Sequence, residues 1–365
     1  MVSVDAAAGG EGGATAPGQP TEAASAPESV RALAYPALTG LPVPGDRVLL
    51  NTTALHQGLG TGGYALVVAI PDRLPPDPTL AGHMVKARYT PLQATVASVD
   101  EQDSPWHSVL RDADSIDGMP VVVADLHSAL PAVLAGLRHE FRRGNDSPDT
   151  ARPPAVAYVM QDGGALPAWF SRTVAGLRSA DWLAGTVTTG QSFGGDLEAV
   201  TVHTGLLAAR HVLRADVAIV TQGPGNLGTG TRWGYSGVAA GEAVNAAAAL
   251  AGRPVASLRI SFADPRERHQ GVSHHSLTAY GRVALAAADV IVPRLPGEQG
   301  SRVASDAASL SGRHRIVDVD VDGLTEALRN CPVGLSTMGR SLDEDLPYFL
   351  SCAAAGRFAA RLAAG

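Results

Sequence analysis

Titratable side chains are concentrated in one short segment, Asp264 to His275. It holds two carboxylates, two guanidinium groups and three imidazoles, and it directly follows an apolar run, Val255 to Phe262, that predicts a buried strand. Charged groups that share a cleft shift one another's pKa values, so such clusters are candidates for proton transfer, metal binding or anion binding. A solvated loop is the plain alternative. The candidate catalytic residues are Asp264, His269, His274 and His275.

The same segment is compatible with two kinds of ligand. Imidazole and carboxylate groups suit zinc, manganese or iron, so a divalent metal is one hypothesis, although the spacing matches no tight motif and His-Glu-x-x-His is absent. Arg266 and Arg268 would repel a cation if they pointed inward, and they suit a clamp for phosphate or carboxylate, with Ser273 as a further ligand-binding residue. The candidate metal ligands are Asp196, His269, His274 and His275.

A glycine-rich loop follows another predicted strand. Its Gly-x-Gly-x-x-Gly pattern lets backbone N–H groups approach an anionic oxygen, and hydroxyl and guanidinium donors follow. It departs from a dinucleotide fingerprint because no helix begins at once and no acid ends the next strand about twenty residues on, and it lacks the Gly-Lys-Ser/Thr of a Walker loop. We predict an anion-binding loop, with a tightly packed turn as the alternative. Its residues are Gly223, Gly225, Gly228, Thr229, Gly230, Thr231 and Arg232.

A Gly-x-Ser-x-Gly pattern places Ser192 between a predicted strand and a predicted helix, which is the setting of a nucleophile elbow. Chain order also permits a triad of Ser192, Asp264 and His269. Asp196 and Glu198 follow closely, and their negative charge would oppose the oxyanion that such a site must stabilise. A serine hydrolase with Ser192 as nucleophile is therefore an alternative hypothesis.

Lys86 is the only lysine of the chain, and all other side chains of the Lys and Arg set are arginines. A coding bias towards arginine explains those other positions but not the exception. Arginine cannot replace an amine that deprotonates, forms a Schiff base or binds phosphate as a compact donor. We assign Lys86 to ligand binding, with a surface lysine as the alternative.

From residue 119 onwards, apolar strands alternate with Ala- and Leu-rich helical stretches. This pattern predicts a doubly wound, mainly parallel α/β sheet, a Rossmann-like domain over residues 119–365. Residues 30–118 predict a small, barrel-like β domain, and residues 1–29 predict a disordered tail. Strands are expected at 120–126, 155–161, 183–189, 216–222, 254–262, 289–294 and 315–320, and helices at 128–141, 166–179, 197–213, 241–251, 275–287 and 344–363.

Four consecutive predicted strands end in polar loops, which begin at residues 161, 190, 223 and 264. Because parallel strands point the same way, these loops should share the carboxyl edge of the sheet, where open α/β proteins bind their ligands. Asp162, in the first loop, is a further ligand-binding candidate. The convergence predicts a functional crevice more strongly than any one loop does.

Composition limits the classes of function. The 365 residues include 28 Lys and Arg against 35 Asp and Glu, and the formal net charge of −7 argues against general nucleic-acid binding. Two cysteines without a Cys-x-x-Cys pair indicate a reducing compartment, and no signal peptide or membrane-spanning run is evident. We expect a cytoplasmic protein whose partner is a small anionic metabolite, without nucleic acid or membrane partners, and a homo-oligomer is left open.

Together these segments resemble a bacterial family known only as a domain of unknown function. The resemblance covers roughly residues 30 to 340. It implies the domain layout and brings no activity with it. The matching stretches are residues 45–53, the 58–63 loop, the Lys86 segment, residues 159–167 and 193–200, the glycine-rich loop, and residues 260–275.

The leading functional hypothesis is an enzyme that acts on a small anionic metabolite, such as a phosphorylated or nucleotide-like one. The glycine-rich loop would hold the anion, the arginines of the histidine segment would clamp it, and His269 or His274 with Asp264 would transfer protons. A non-catalytic sensor that uses the same crevice is a second class, and a scaffold protein is a third. Removal of a histidine separates the first two, because a sensor keeps its affinity whereas an enzyme loses turnover.

Overall fold

The computed structural model describes residues 2–4, 28–60, 62–77, 82–144 and 152–364. Most of the predicted disordered tail therefore lies outside the described residues. The chain forms two compact units, Met1–Thr79 and Leu80–Gly365. Residues 82–118, which the sequence assigned to the β domain, belong to the second unit.

The first unit contains short strands in open sheets. Ala65–Ala69 pairs with Ala32–Leu33 in parallel and with Leu49–Asn51 antiparallel, and Val2–Val4 pairs with Glu28–Val30. The barrel prediction is wrong for the described residues, because a sheet of three such short strands cannot close on itself. Its helices, as far as the structure describes them, are Pro36–Thr39 and Thr53–His56.

The second unit is built on a sheet with eight strands among its described residues, all of them parallel. The prediction of a mainly parallel α/β sheet is confirmed. The strands are β1 Pro120–Val123, β2 Val156–Gln161, β3 Gly185–Thr188, β4 Leu197–Glu198, β5 Val217–Gln222, β6 Arg253–Ser257, β7 Asp289–Pro293 and β8 Arg315–Val319. Their order across the sheet is β4-β3-β2-β5-β1-β6-β7-β8.

Helices pack on this sheet in two groups. Right-handed crossovers that run in opposite directions along a sheet place their helices on opposite faces. Ala129–Arg143 packs against Leu346–Ala364, and Val202–His211 packs against Ala239–Ala249. The first pair approaches closely at Gly136, where a Cβ would clash with the carbonyl oxygen of Ala353 on the facing helix. The other helices are His107–Leu110, Arg172–Ser179, His274–Thr278, Gly297–Ala308 and Leu324–Arg329, with a π-helical turn at Ala279–Val283. No described helix combines the length and the apolarity that crossing a membrane requires.

Strand order sets which loops are neighbours at the carboxyl edge of the sheet. The chain leaves β2 towards β3 on one side and leaves the adjacent β5 towards β6 on the other. The loops after β2 and β5 therefore diverge, and such a switch in strand order is where open α/β proteins commonly bind their ligands. Strand β1 lies between β5 and β6, so the loops after β5, β1 and β6 are neighbours along this edge.

Two predicted elements differ from the structure in ways that affect the site. The predicted strand 254–262 is broken: β6 ends at Ser257, and Ile260–Ser261 pairs antiparallel with Gly271–Val272, which folds the intervening residues into a loop. The predicted helix 197–213 begins with β4, and the helix itself starts at Val202 after Thr201 accepts a hydrogen bond from the Thr204 N–H.

Candidate functional site

The three histidines of the Asp264–His275 segment meet in one cluster. The pairing of Ile260–Ser261 with Gly271–Val272 turns the chain back, and Ser273 caps the helix that begins at His274. The potential ligand atoms of the three rings all lie within 4.8 Å of one another. The structure therefore brings together His269, His274 and His275 as the sequence suggested; we call them the histidine cluster.

Neighbouring side chains fix two of these rings. The Ser273 hydroxyl lies 2.7 Å from Nδ1 of His269, which leaves Nε2 of that ring for the cluster. His275 stacks on Tyr235 with ring centroids 3.7 Å apart, and the Tyr235 hydroxyl donates to the carbonyl of His275 over 2.7 Å. His269 and His275 are both buried, so their orientations are set by packing as well as by hydrogen bonds.

Buried charges lie directly behind the cluster. Arg259 donates to Nδ1 of His275 over 3.2 Å, and its guanidinium lies 3.8 Å from Asp125 and 3.6 Å from Asp264. These three charged residues are 3 %, 5 % and 0 % exposed. Because a guanidinium only donates, Nδ1 of His275 acts as the acceptor and the ring proton resides on Nε2.

Asp264 is a fixed charge rather than a proton carrier. Burial alone would raise the pKa of its carboxyl group, but hydrogen bonds from the side chain and the backbone of Arg266 outweigh burial and hold the pKa well below its usual range. Asp264 therefore stays ionised near neutral pH and anchors three arginines, Arg259, Arg266 and Arg340.

Two of the imidazoles are neutral at physiological pH. Burial and the charge of Arg259 lower the pKa of His269 to about 3. Burial and the neighbouring His275 lower the pKa of His274 to about 4. A neutral imidazole has a free lone pair, so each ring can accept a proton or bind a ligand.

Several buried polar atoms beside the cluster lack a hydrogen-bond partner among the described residues. They are Oδ2 of Asp125, one terminal nitrogen of Arg259 and Nε2 of His274. Each such atom costs about 1–3 kcal/mol relative to a satisfied one. Because native interiors leave few polar atoms unsatisfied, three at one place mark the cluster as a candidate site.

A cleft of about 520 Å³ opens beside His274. Arg232 from the glycine-rich loop and Arg282 from the π-helical turn line it, and none of its lining residues is acidic. Within the described part of the chain neither guanidinium has an ion-pair partner. A π-helical turn is a frequent companion of functional sites, and this one places Arg282 at the cleft.

The glycine-rich loop lies next to the histidine segment. Gly225 has a φ of +94° and Gly230 a φ of +80°, both in the left-handed region that favours glycine. A Cβ on Gly230 would lie 3.8 Å from the guanidinium of Arg268. The hydroxyls of Thr229 and Thr231 bond to the backbone of Gly234, so they stabilise the loop itself.

The comparisons with known proteins give a family and no chemistry. A family model described as a protein of unknown function (DUF3866) matches residues 31–356. The chain belongs to this family. The match includes the histidine cluster, the cleft and the glycine-rich loop, and it confirms the resemblance seen in the sequence. No curated protein and no solved structure matches the chain.

In this DUF3866 member, Lys86 is buried at the end of β3, with 1 % of its surface exposed. Its ammonium donates to the carbonyls of Thr188 (2.9 Å) and Ser192 (2.7 Å) and to the carboxylate of Glu198 (2.9 Å). A planar guanidinium cannot direct three donors in this compact arrangement, which explains why lysine is kept here. Four strand spacings separate β3 from β6, roughly 19 Å, so the ligand-binding role of Lys86 stays a prediction.

Ser192 lies in the same region as Lys86. It is fully buried, and its hydroxyl donates to the carbonyls of Thr189 (2.9 Å) and Met160 (3.1 Å). Among the described residues it has no histidine partner, and Nδ1 of His269 bonds instead to Ser273. The structure therefore does not assemble the triad of Ser192, Asp264 and His269.

Two predicted carboxylates are also held away from the histidine cluster. Asp196 accepts hydrogen bonds from the backbone and hydroxyl of Thr186 and pairs with Arg178, which places it between β3 and β4. Asp162 accepts a hydrogen bond from the backbone N–H of Gln191 over 2.8 Å. Both bonds organise the loop after β3, so neither residue is positioned as a ligand for the cluster.

Sequence reasoning missed four residues of the site, namely Asp125, Tyr235, Arg259 and Arg282. One of them did carry a signal. Arg259 is the single charged residue inside the apolar run 255–262, and a charge in a buried strand pattern marks either a break or a binding site. Asp125 could be found only from the strand order, which places the loop after β1 beside that after β6.

Proposed function

We propose that this protein is an enzyme that acts on a small anionic metabolite, with the histidine cluster as its catalytic centre and the adjoining cleft as its binding site. The observation that carries the proposal is the position of His274. Its neutral imidazole, with an unpartnered Nε2, borders a cleft with two arginines that have no acidic partner in the described chain.

Charge selects the class of ligand. Arg232 and Arg282 line the cleft, and Arg268 lies by the glycine-rich loop next to it. Guanidinium groups bind phosphate and carboxylate oxygens through paired hydrogen bonds, and no acidic lining residue competes for them. The volume of about 520 Å³ lies in the range of roughly 300–1,000 Å³ that small-molecule sites occupy.

The histidines supply the chemistry. A base for proton transfer must be neutral and must present a free lone pair, and His274 meets both conditions. The neighbouring His269 is oriented by Ser273 and is also neutral, so it can receive or relay the proton. Asp264 holds Arg259 and Arg266 in place, which keeps positive charge near a developing anion.

Metabolite profiling tests this proposal. The full chain is incubated with a small-molecule extract, and mass spectrometry follows which anions disappear. We expect at least one anion to be consumed by the wild type and by a His203→Ala control, which removes an exposed histidine. The His274→Ala variant should leave that anion unconsumed. Consumption of no compound, or binding without turnover that survives His274→Ala, would reject the enzyme in favour of a sensor.

We also propose that the protein works on free metabolites in the cytoplasm. Both cysteines, Cys331 and Cys352, are unpaired, as expected of a reducing compartment. The net charge of −7 favours small ligands over polyanionic nucleic acid, and the two arginines that line the cleft offer a local site for a small anion.

A further inference from the structure

We propose that His269, His274 and His275 bind one divalent transition-metal ion, such as zinc, with Asp125 as the hydrogen-bond acceptor behind His275. This inference rests on the proposed function, because it assigns a cofactor to the same catalytic centre. It is carried by the donor set, by the geometry of the three rings and by the unpartnered atoms around them.

The donor set suits a catalytic metal. Three imidazoles with potential ligand atoms within 4.8 Å of one another can close on a single ion by small side-chain rotations, since tetrahedral zinc holds its nitrogen ligands about 3.4 Å apart. Three protein ligands leave one position open for water or substrate, as in catalytic rather than structural zinc sites. Nε2 of His274 is buried and has no other partner among the described residues.

The surrounding acceptors match those of metal-binding histidines. A histidine that binds a metal through one nitrogen donates a hydrogen bond from the other, often to a carboxylate. Oδ2 of Asp125 lies 3.6 Å from Nδ1 of His275 and has no hydrogen-bond partner in the described chain. Nδ1 of His269 already has a partner, the hydroxyl of Ser273. Binding of His275 through Nε2 would move its ring proton to Nδ1, which would then exchange the hydrogen bond from Arg259 for one donated to Asp125.

Nearby arginines do not prevent cation binding. Arg259 lies between Asp125 and Asp264, and Arg266 makes two side-chain hydrogen bonds to Asp264. Asp125 and Asp264 thus offset the positive charge of Arg259 and Arg266. Arg268 lies beside the glycine-rich loop, and Arg232 and Arg282 line the cleft. A metal ion here would join Arg232 in attracting an anionic substrate. It would also lower the pKa of a bound water, which would then take the place of the His274 lone pair as the proton-accepting group.

Metal titration tests the proposal without any substrate. The full chain is stripped with a chelator and titrated with Co²⁺, whose visible absorption reports imidazole ligation, and then with Zn²⁺ by calorimetry. We expect one ion per chain and displacement of Co²⁺ by Zn²⁺. The His274→Ala variant should bind Zn²⁺ about 100-fold more weakly or worse, and Asp125→Asn about 10–100-fold more weakly. The His203→Ala control should match the wild type.

The outcomes separate this inference from the proposed function. Absence of a Co²⁺ spectrum, or equal Zn²⁺ affinity of His274→Ala and His203→Ala, would overturn the metal site. If the metal-free protein still consumes an anion, the proposed enzymatic function holds and does not require a metal. Circular dichroism of each variant shows whether it is folded, and His274→Gln, which keeps the side-chain bulk, replaces His274→Ala if that variant does not fold.

Discussion

Two regions at the carboxyl edge of the parallel sheet bury charged side chains, and they differ in how those charges are paired. At the end of β3, all three protons of the Lys86 ammonium have acceptors, and both oxygens of Glu198 accept hydrogen bonds. At the histidine cluster, Asp125, Arg259 and His274 each keep a buried atom without a partner among the described residues. We infer that the complete pairing at β3 stabilises the fold, whereas the incomplete pairing at the histidine cluster leaves charge for the proposed ligand.

Removal of the Lys86 amine should have the largest effect, and it tests whether the fully paired charges at the end of β3 stabilise the fold. Lys86→Met keeps the length of the side chain but leaves Glu198 as an unpaired buried carboxylate, so we expect a loss of about 3–5 kcal/mol in the free energy of unfolding. Lys86→Arg should also destabilise, because the larger guanidinium does not fit the three acceptors. Urea unfolding measures both changes.

Two controls complete the Lys86 experiment. Arg47→Lys alters a pair whose arginine side chain is 73 % exposed, so its effect should stay below about 1 kcal/mol. The double variant Lys86→Met/Glu198→Gln should recover part of the loss, because it no longer buries an unpaired charge. Equal stability of Lys86→Met and Arg47→Lys would show that the buried pair does not hold the fold.

The histidine cluster should respond in the opposite way. His274→Ala removes a ring whose Nε2 has no partner in the described chain, so we expect less than about 1 kcal/mol of lost stability. Turnover of the anion identified by metabolite profiling should fall about 100-fold or more, the usual effect of losing a general base. A stable variant with unchanged turnover would assign His274 to packing.

Gly225→Val tests the glycine-rich loop. A β-branched residue at a φ of +94° is strained by about 1–2 kcal/mol even though the space around Gly225 is open. Affinity for inorganic phosphate, measured by calorimetry, should fall several-fold because the loop backbone must shift. Gly334→Val is the matched control, since it is exposed, open and lacks a positive φ. Equal phosphate affinity in the two variants would make the glycines a turn only.

The smallest effect concerns His127, a ring paired at both nitrogens. Tyr158 lies 2.9 Å from Nδ1 and Ser171 2.7 Å from Nε2, and burial lowers the pKa of the ring from 6.5 to about 4. As the pH falls, His127 therefore takes up a proton in the unfolded chain before it does so in the folded chain. The contribution of this neutral ring to stability is fully present above pH 6.5 and is lost as the pH falls towards 4. Between pH 7 and 6 the loss is about 0.7 kcal/mol.

His127→Gln should flatten that part of the pH profile. Because the substitution also changes hydrogen bonds, the slope of the unfolding free energy with pH is compared rather than its absolute value. An unchanged slope between pH 7 and 5 would contradict the assignment of a neutral, buried ring.

The parallel sheet was predictable because its strands are continuous apolar runs, which need cover on both faces. The barrel prediction was wrong, because short strands separated by turns fit an open sheet equally well. The break after Ser257 escaped prediction for a related reason: Leu258 and Ile260 extend the apolar run, and only the long-range pairing with Gly271–Val272 decides where the strand ends. Helix Gly297–Ala308 was missed because glycine and serine weaken its helical pattern.

The residues of the candidate site likewise fall into those that a local sequence pattern reveals and those that only tertiary contacts reveal. His269, His274 and His275 could be found because one segment carries all three. The alternative of a surface lysine at position 86 is wrong, because Lys86 is buried with three acceptors, an arrangement that the sequence alone does not reveal. Asp125 and Arg282 come from distant parts of the chain and join the site through strand order and a π-helical turn. Tertiary contacts, rather than local patterns, bring such residues to a site.

Because the only lysine is buried, chemical modification of its amine can report local opening of the structure. The described surface offers no lysine amine to acylating reagents, because the single one present is 1 % exposed. Acylation at Lys86 therefore requires the strand Met84–Lys86 to detach from the end of β3, and its rate measures how often this happens. The mass shift of acylated Lys86 would therefore measure local opening at the end of β3 without any engineered label.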